Sequence, residues 1–461
     1  RDIKAFLKES AVAWTGALHV NDPPEEIEAR LSKRAYTVDQ ALTELWNVAQ
    51  MPQTYALLAV GGYGRGELFP FSDVDVLVLV DQEPSGVNIE KLEWFCGSGW
   101  DIGLEVGHSV RDIAQCVDEA EKDITVQTAL VECRLICGNA LLFNSLQEEL
   151  HRSLQPKTFF RKKTLELQQR HAKYQDSPYS LEPNCKESPG GLRDLHVITW
   201  VARAAHVGQT WSEMAKNGLI TPYEAAKLRK HERTLKRIRF QLHLTSKRRE
   251  DRLVFDVQTQ VAEALGFKPS PTRRSSELLM QAYYLAAKAV TLLNAILLQN
   301  IEIAIFGLQT ASEPLDDDFQ ALGNLLDIRD PDLFAKKPSA MLRAFLMMQQ
   351  NHALKGMSAQ LLRALWHNRF RINSEFRKDP GNKALFIDFF KQPQGIVHEL
   401  RRMNQTSVLS RYLPVFRKIV GQMQHDLFHV YTVDQHIMAV VRNLRRFTMV
   451  EHAHEYPFCS Q

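Results

Sequence analysis

Two aspartates one residue apart, Asp73 and Asp75, follow a glycine-rich stretch, Gly61-Gly62-Tyr63-Gly64-Arg65-Gly66, within one short segment of the chain. On a strand, alternation points both carboxylates to one face and Val74, Val76 and Val78 to the other. Two such carboxylates repel and raise each other's pKa unless a cation sits between them. Hard divalent cations of the Mg²⁺ type take oxygen ligands of this kind and keep positions open for substrate phosphates. Glycines let backbone N–H groups approach a triphosphate where a side chain would clash. Ser72 can add a hydroxyl contact, and Arg65 can sit near developing phosphate charge. The segment is not a Walker loop, because no Gly-Lys-Ser/Thr follows. It is not a dinucleotide fingerprint either, since the third glycine is misplaced and no long crossover helix follows directly. Asp-x-Asp alone is a common solvated or turn-capping pair. Coupled to a Gly-Gly turn across Arg65, Glu67, Pro70 and Ser72, it composes a metal-assisted site for a triphosphate.

Elements that could hold this site can be read around it. Residues 1 to about 50 carry a helical stripe of Leu31, Ala35, Val38, Leu42 and Leu45. Tyr55 to Val60 reads as a short strand into the glycine turn, and β-branched Val74 to Val80 as a second strand. A helix around Ile89 to Cys96 and a strand near Ile102 to Val110 complete an α/β unit. Helix signals dominate from about residue 115 onward, with Pro183 to Gly191 a loop and helices resuming after Asp316-Asp317-Asp318.

At 461 residues the chain allows about three domains. Its 44% hydrophobic and 24% charged content are those of an ordinary globular protein, and a net charge of +3 demands neither nucleic acid nor membrane as partner. Six cysteines at irregular spacings read as reduced thiols. The apolar run Ala289 to Leu298 falls short of the ~18 residues of a membrane span, and no secretory signal opens the chain. These features together point to the cytoplasm. A start at Arg1 and an end at Gln461 in mid-pattern suggest a piece of a longer protein.

Of three charged segments, the first two have two readings each. The loop Ser188 to Asp194 is either a helix-start turn with Arg193 and Asp194 in a surface ion pair, or it presents Lys186 and Arg193 to nucleotide or acceptor. The basic helix bearing Arg229, Lys230, Arg233, Lys236, Arg237 and Arg239 reads as a solvated face, or otherwise as a phosphate or partner surface. Arg248, Arg249, Glu250, Asp251 and Arg252 read as a local ion-pair network.

Gly61-Gly62, a short gap and Asp73-Val74-Asp75 resemble the nucleotidyltransferase superfamily that includes DNA polymerase beta. Gly61 to Leu79, Trp100 to Arg111 and Glu187 to Leu195 jointly resemble the uridylyltransferases of bacterial nitrogen signalling, which modify the PII protein; the likeness runs over nearly the whole chain. The resemblance implies an α+β fold: a DNA-polymerase-beta-like nucleotidyltransferase domain, with a mixed sheet and flanking helices, followed by a mainly α-helical domain. Its divisions would be an N-terminal helical segment (1–50), the nucleotidyltransferase domain (51–150), an associated helical domain (151–310), and a helical region leading into a truncated HD domain (311–461).

It further implies transfer of UMP from UTP to a tyrosine of PII, with pyrophosphate released and Mg²⁺ (or Mn²⁺) held by Asp73 and Asp75. Gly61 and Gly62 would cradle the UTP phosphates. The family's third carboxylate would be Glu105 or Asp101, both in phase on the expected strand, with Glu105 preferred. His436 matches the first metal-binding histidine of an HD phosphohydrolase pattern; His425-Asp426 precedes it and lacks the context of the central pair. Uridylyl removal and glutamine sensing are expected to lie outside this fragment. A protein adenylyltransferase and a catalytically silent nucleotide-binding regulator are the competing readings. RNA modification is disfavoured, because the basic helix lacks interleaved aromatics for base stacking.

Overall fold

The computed structural model describes residues 2–175, 177–307, 311–424, 431–447, 449–455 and 457–458. Two helices, α1 (Ile3–Thr15) and α2 (Glu26–Val48), precede the first sheet. The expected stripe of α2 is buried at Leu31, Ala35, Val38, Leu42 and Leu45. There follow β1 (Ala56–Ala59), α3 (Gly61–Gly64), β2 (Val74–Leu79), α4 (Val87–Asp101), β3 (Val106–Arg111), α5 (Ile113–Lys122), α6 (Ile124–Val131), β4 (Arg134–Gly138) and α7 (Ala140–Ser153). The strands lie in the order β3-β2-β1-β4, with β2 and β3 parallel and the other pairs antiparallel. The sheet is therefore mixed, and the α+β expectation holds.

Both sheet faces are covered, which is why its strands are apolar on both sides. Val74, Val76 and Val78 pack with α2 and α4 on one face. Leu77 and Leu79 pack with Cys116, Leu130 and Leu146 on the other. Asp73 and Asp75 sit at the open end of that second face.

A helical unit closes over this end. It comprises α8 (Pro156–Lys173), α9 (Leu192–Ala204), α10 (Trp211–Lys216), α11 (Pro222–Ser246), α12 (Phe255–Ala264) and the 32-residue α13 (Ser275–Phe306). Thr221 and Glu224 form a reciprocal capping box at the start of α11, with Pro222 in the first turn. By length and apolar composition α13 could cross a membrane; here Leu279, Tyr283, Val290, Leu293 and Leu297 pack in the helical core.

The basic helix is not a solvated face. On α11, Arg233 pairs with Glu25 and Glu28, Arg237 donates to the carbonyls of Val20 and Asp22, Lys236 pairs with Glu67 and Glu232, and Arg239 pairs with Asp251. Its cations bind the N-terminal segment and the sheet unit to the helical unit. Lys230 stays exposed.

The region after residue 310 departs from the all-helical expectation. Strands β5 (Ser312–Pro314), β6 (Phe319–Leu322), β7 (Leu325–Ile328) and, after α14 (Leu333–Lys336) and α15 (Ala340–Gln350), β8 (Gly356–Met357) form a second sheet before α16 (Ala359–Asn368). The β6–β7 hairpin turns on Gly323-Asn324, with Gly323 at φ 61°. A two-residue Gly-Asn connection between short alternating strands is a hairpin signal, and strands of four residues leave too few periods to show in sequence. Later helices complete a separate core with this sheet. That unit hangs on α13, where Lys288 donates to Asn404 and Gln299 binds the Met357 carbonyl and the Ala359 amide.

Candidate active site

Strand β1 ends at Ala59, and after Val60 the next four residues make one short helical turn rather than an open loop. Glycine is required in it. Gly61 sits at φ +58°, and a Cβ on Gly64 would fall 2.3 Å from the Glu132 carbonyl oxygen, so α3 lies against the end of α6. The Val60 amide donates to the Asp75 carbonyl at 3.1 Å, which ties the turn to the aspartate strand.

Asp73 and Asp75 share one face, as alternation requires. Register pairs Asp75 with Gly107 on β3. A Cβ on Gly107 would lie 2.6 Å from Asp75 Oδ1, so this glycine gives the carboxylate its room. Asp75 has no side-chain hydrogen-bond partner among the described residues. Desolvation and the like charge of Asp73 push its carboxyl above the ordinary aspartate range, while Arg249 and Lys186 offset part of that rise. Asp73 accepts from Arg249 Nη1 at 2.6 Å.

The two candidates for a third carboxylate separate. Glu105 immediately precedes β3, one position before the Val74–Val106 pair; its carbonyl accepts from the Val74 amide at 2.8 Å, while its side chain is exposed and is not among those that line the cavity over the aspartates. Its charge also bears on Arg249. Asp101 is not on the strand. It is the last residue of α4, and Gly103 at φ +90° turns the chain before β3 starts, so the phase extrapolated from Glu105 to Asp101 fails. Among the described residues no group of three His, Cys, Asp or Glu side chains closes around a common point. The arrangement still fits a divalent cation, because Asp75 is a partnerless carboxylate beside a second one, and such ions are commonly held by one or two carboxylates plus substrate phosphates.

A cavity of about 350 Å³ opens over the pair, lined by Gly61, Gly62, Arg65, Ser72, Asp73 and Asp75 from the sheet unit and by Lys186, Arg193, Arg239 and Arg249 from the helical unit. The structure thus brings Lys186 and Arg193 to the aspartates. The proposed surface pair of Arg193 with Asp194 does not form. Arg193 binds Glu187 at 3.1 Å, and Asp194 is buried, accepting from Arg170 and from the Gly190 amide at 2.7 Å each. Lys186 is held below the usual lysine range by burial and by the neighbouring Arg193 and Arg239. Arg65 is less available than its position in the motif suggests: its guanidinium is shared between Glu132 at 2.6 Å and Glu67 at 3.4 Å. His436 lies outside this cavity, exposed on the helix Val433–Phe447, and His425-Asp426 fall outside the described residues.

Sequence reasoning missed several wall residues. Lys163 sits 4.4 Å above the Trp200 ring, Arg193 5.3 Å from it, and the Trp200 indole N–H donates to Glu132. The local network expected of Arg249 does not form: among the described residues the one ion pair inside that cluster is Arg248–Glu250, while Asp251 clamps Arg239 and His243 and Arg252 reaches Glu182. The signal for Gly107 was present, since a glycine inside a strand marks close approach by another group.

Residues 40–131 match the family described as "Nucleotidyltransferase domain", residues 158–298 "GlnD PII-uridylyltransferase" and residues 319–412 "Uridylyltransferase GlnD third domain". The chain is 55% identical over 432 residues to a bifunctional uridylyltransferase/uridylyl-removing enzyme of Bordetella avium, covering 94% of this chain and 50% of that protein. The like-named enzyme of Ralstonia nicotianae is 54% identical over 94% of this chain and 50% of its own length, and that of Cupriavidus metallidurans 52% over 95% and 52%. The chain spans about half the length of the curated relatives it matches. With three successive family segments along it, and more than half its residues shared with such relatives over nine-tenths of its length, the chain belongs to the bifunctional uridylyltransferase/uridylyl-removing enzyme family.

Proposed function

We propose that the chain transfers UMP from UTP to a tyrosine of a PII protein in the cytoplasm, releasing pyrophosphate, with Asp73, Asp75 and Glu105 holding Mg²⁺ or Mn²⁺. The observation that carries this reading is the partnerless Asp75 beside Asp73, under a glycine turn and facing Lys186, Arg193, Arg239 and Arg249 across one cavity. The metal, when bound, lowers the pKa of the attacking hydroxyl and offsets charge on the leaving pyrophosphate. The backbone of Gly61 and Gly62 lets the triphosphate lie close to α3, and Ser72 offers a hydroxyl at the same rim. Lys186 and Arg193 stand where negative charge accumulates on the departing phosphates, and fixed cations in a walled site need little reorganisation as that charge develops. The phenolic oxygen bonds to the α-phosphorus as the bond to the bridging oxygen of pyrophosphate breaks, and the phenolic proton leaves to solvent. Arg65 acts at one remove, holding α3 through Glu132.

Incubation with labelled UTP or ATP, Mg²⁺ and a PII protein tests the reading. Label from UTP on a PII tyrosine, matched by equimolar pyrophosphate and lost in Asp75→Asn, is the expected result. Preferential labelling from ATP would make the chain an adenylyltransferase. Equally slow pyrophosphate release by wild type and Asp75→Asn would make it a silent nucleotide-binding regulator.

A further inference from the structure

Arg249 stands on the loop between α11 and α12, two residues before a tethered segment. Between α11 and α12, the Cys185 amide donates to the Asp251 carbonyl at 2.7 Å and the Leu253 amide to the Pro183 carbonyl at 2.9 Å, with Asn184 and Arg252 forming an isolated β-bridge. Asp251 is fixed by Arg239 at 2.6 Å and His243 at 3.1 Å. The backbone just after Arg249 is therefore pinned, and α11 ends at Ser246, three residues before it. The Arg249 side chain is half exposed (54%), as is Asp73 (46%), with 2.6 Å between Nη1 and Oδ2. Lys186 leaves the paired strand segment immediately after Cys185 and bears on Asp75. Two cations flanking one small β-bridge thus face two carboxylates across the mouth.

The mouth pair is easily exchanged. A solvent-exposed ion pair contributes little, and a divalent ion competes for the same carboxylate oxygen. Once Asp73 is engaged elsewhere, the guanidinium has lost its counter-charge in a cavity built for a polyanion, and its planar fork suits phosphate oxygens. We propose that Arg249 is an exchangeable counter-ion: it occupies Asp73 until a divalent cation takes that carboxylate, then turns to the triphosphate, so that cation and nucleotide each promote binding of the other. This rests on the functional reading above and adds to it a positioning residue that couples the two ligands. The coupling is reciprocal, because the factor by which nucleotide tightens cation binding must equal the factor by which the cation tightens nucleotide binding.

Mn²⁺ titration of the whole chain, read from the electron paramagnetic resonance of free Mn²⁺, tests this without turnover or acceptor. In Arg249→Gln, Mn²⁺ affinity without nucleotide should rise about two- to fivefold, the range an exposed pair permits. The tightening brought by a nonhydrolysable UTP analogue should shrink relative to wild type, and Arg249→Lys should restore part of it. In an Asp73→Asn background, the Arg249→Gln replacement should no longer raise Mn²⁺ affinity. Near-ultraviolet circular dichroism matching wild type shows that each variant is folded. Unchanged or weaker Mn²⁺ binding by folded Arg249→Gln without nucleotide would overturn the exchange while leaving the functional reading intact. Failure of the wild type to bind Mn²⁺ or the analogue would overturn both.

Discussion

The same two parts of the molecule, sheet unit and helical unit, are joined by two ion clusters that behave oppositely. At the rear, Glu67 is held between Arg65 and Lys236, and Lys236 also binds Glu232 at 2.8 Å; the Lys236 side chain is 4% exposed. Trp211 donates to Glu232 at 2.7 Å and Trp200 to Glu132. At the mouth, Asp73 and Arg249 meet in water. Chemistry is equal in the two places and hydration is not. Buried charges with all partners present cannot be separated without leaving one uncompensated, whereas exposed charges exchange partners at small cost. The rear cluster is a weld and the mouth pair an exchange site.

The largest test of that contrast is Lys236→Met. It leaves Glu67 and Glu232 without their shared cation and should cost ~3–5 kcal/mol of stability, read by urea denaturation. A loss no greater than that of an exposed pair would erase the distinction. Gly107→Ala probes the mouth geometry instead. Its methyl would arrive 2.6 Å from Asp75 Oδ1, and a displaced reacting group can cost up to about a hundredfold in rate; transfer should fall by that order in a pyrophosphate-release assay while the thermal midpoint barely moves.

Acid sharpens the comparison. The cations Lys236 and Arg65 outweigh the burial cost and hold the Glu67 carboxyl down at about 2, from an ordinary 4.5. A depressed carboxyl stabilises the fold above its unfolded pKa, and that contribution is lost as pH falls from about 4.5 through about 2. Stability against pH should therefore slope less steeply in Glu67→Gln than in wild type over that window. The smallest effect is expected of Arg249→Gln on stability, within ~0–1 kcal/mol by the same urea method.

What the sequence disclosed and what it hid divide along contact range. The α2 stripe, the strand alternation that pairs Asp73 with Asp75, and the helix breakers at Pro189 to Gly191 are local patterns, and the fold respects them. Lys236 meets Glu67 across 169 positions and Arg249 meets Asp73 across 176, so neither can be read from neighbours in sequence. Local reading instead puts Lys236 on a solvated face and Arg249 in an ion-pair network with its sequence neighbours. Asp101 failed for a different reason: helix α4 extends through Asp101, and the turn at Gly103 resets the count before β3. The small sheet after residue 310 was hidden by strands shorter than the period needed to detect them.

Helix α13 carries a mechanical consequence. Gly190 presses so closely on it that an added Cβ would sit 2.2 Å from the Ala287 carbonyl oxygen, and the next residue, Lys288, grips Asn404 of the C-terminal unit. The segment that delivers Lys186 and the segment that anchors the distal third of the chain are thus seated on consecutive residues of one beam. A tilt of that beam would be shared by both ends of the joint, like two gauges bolted to the same girder.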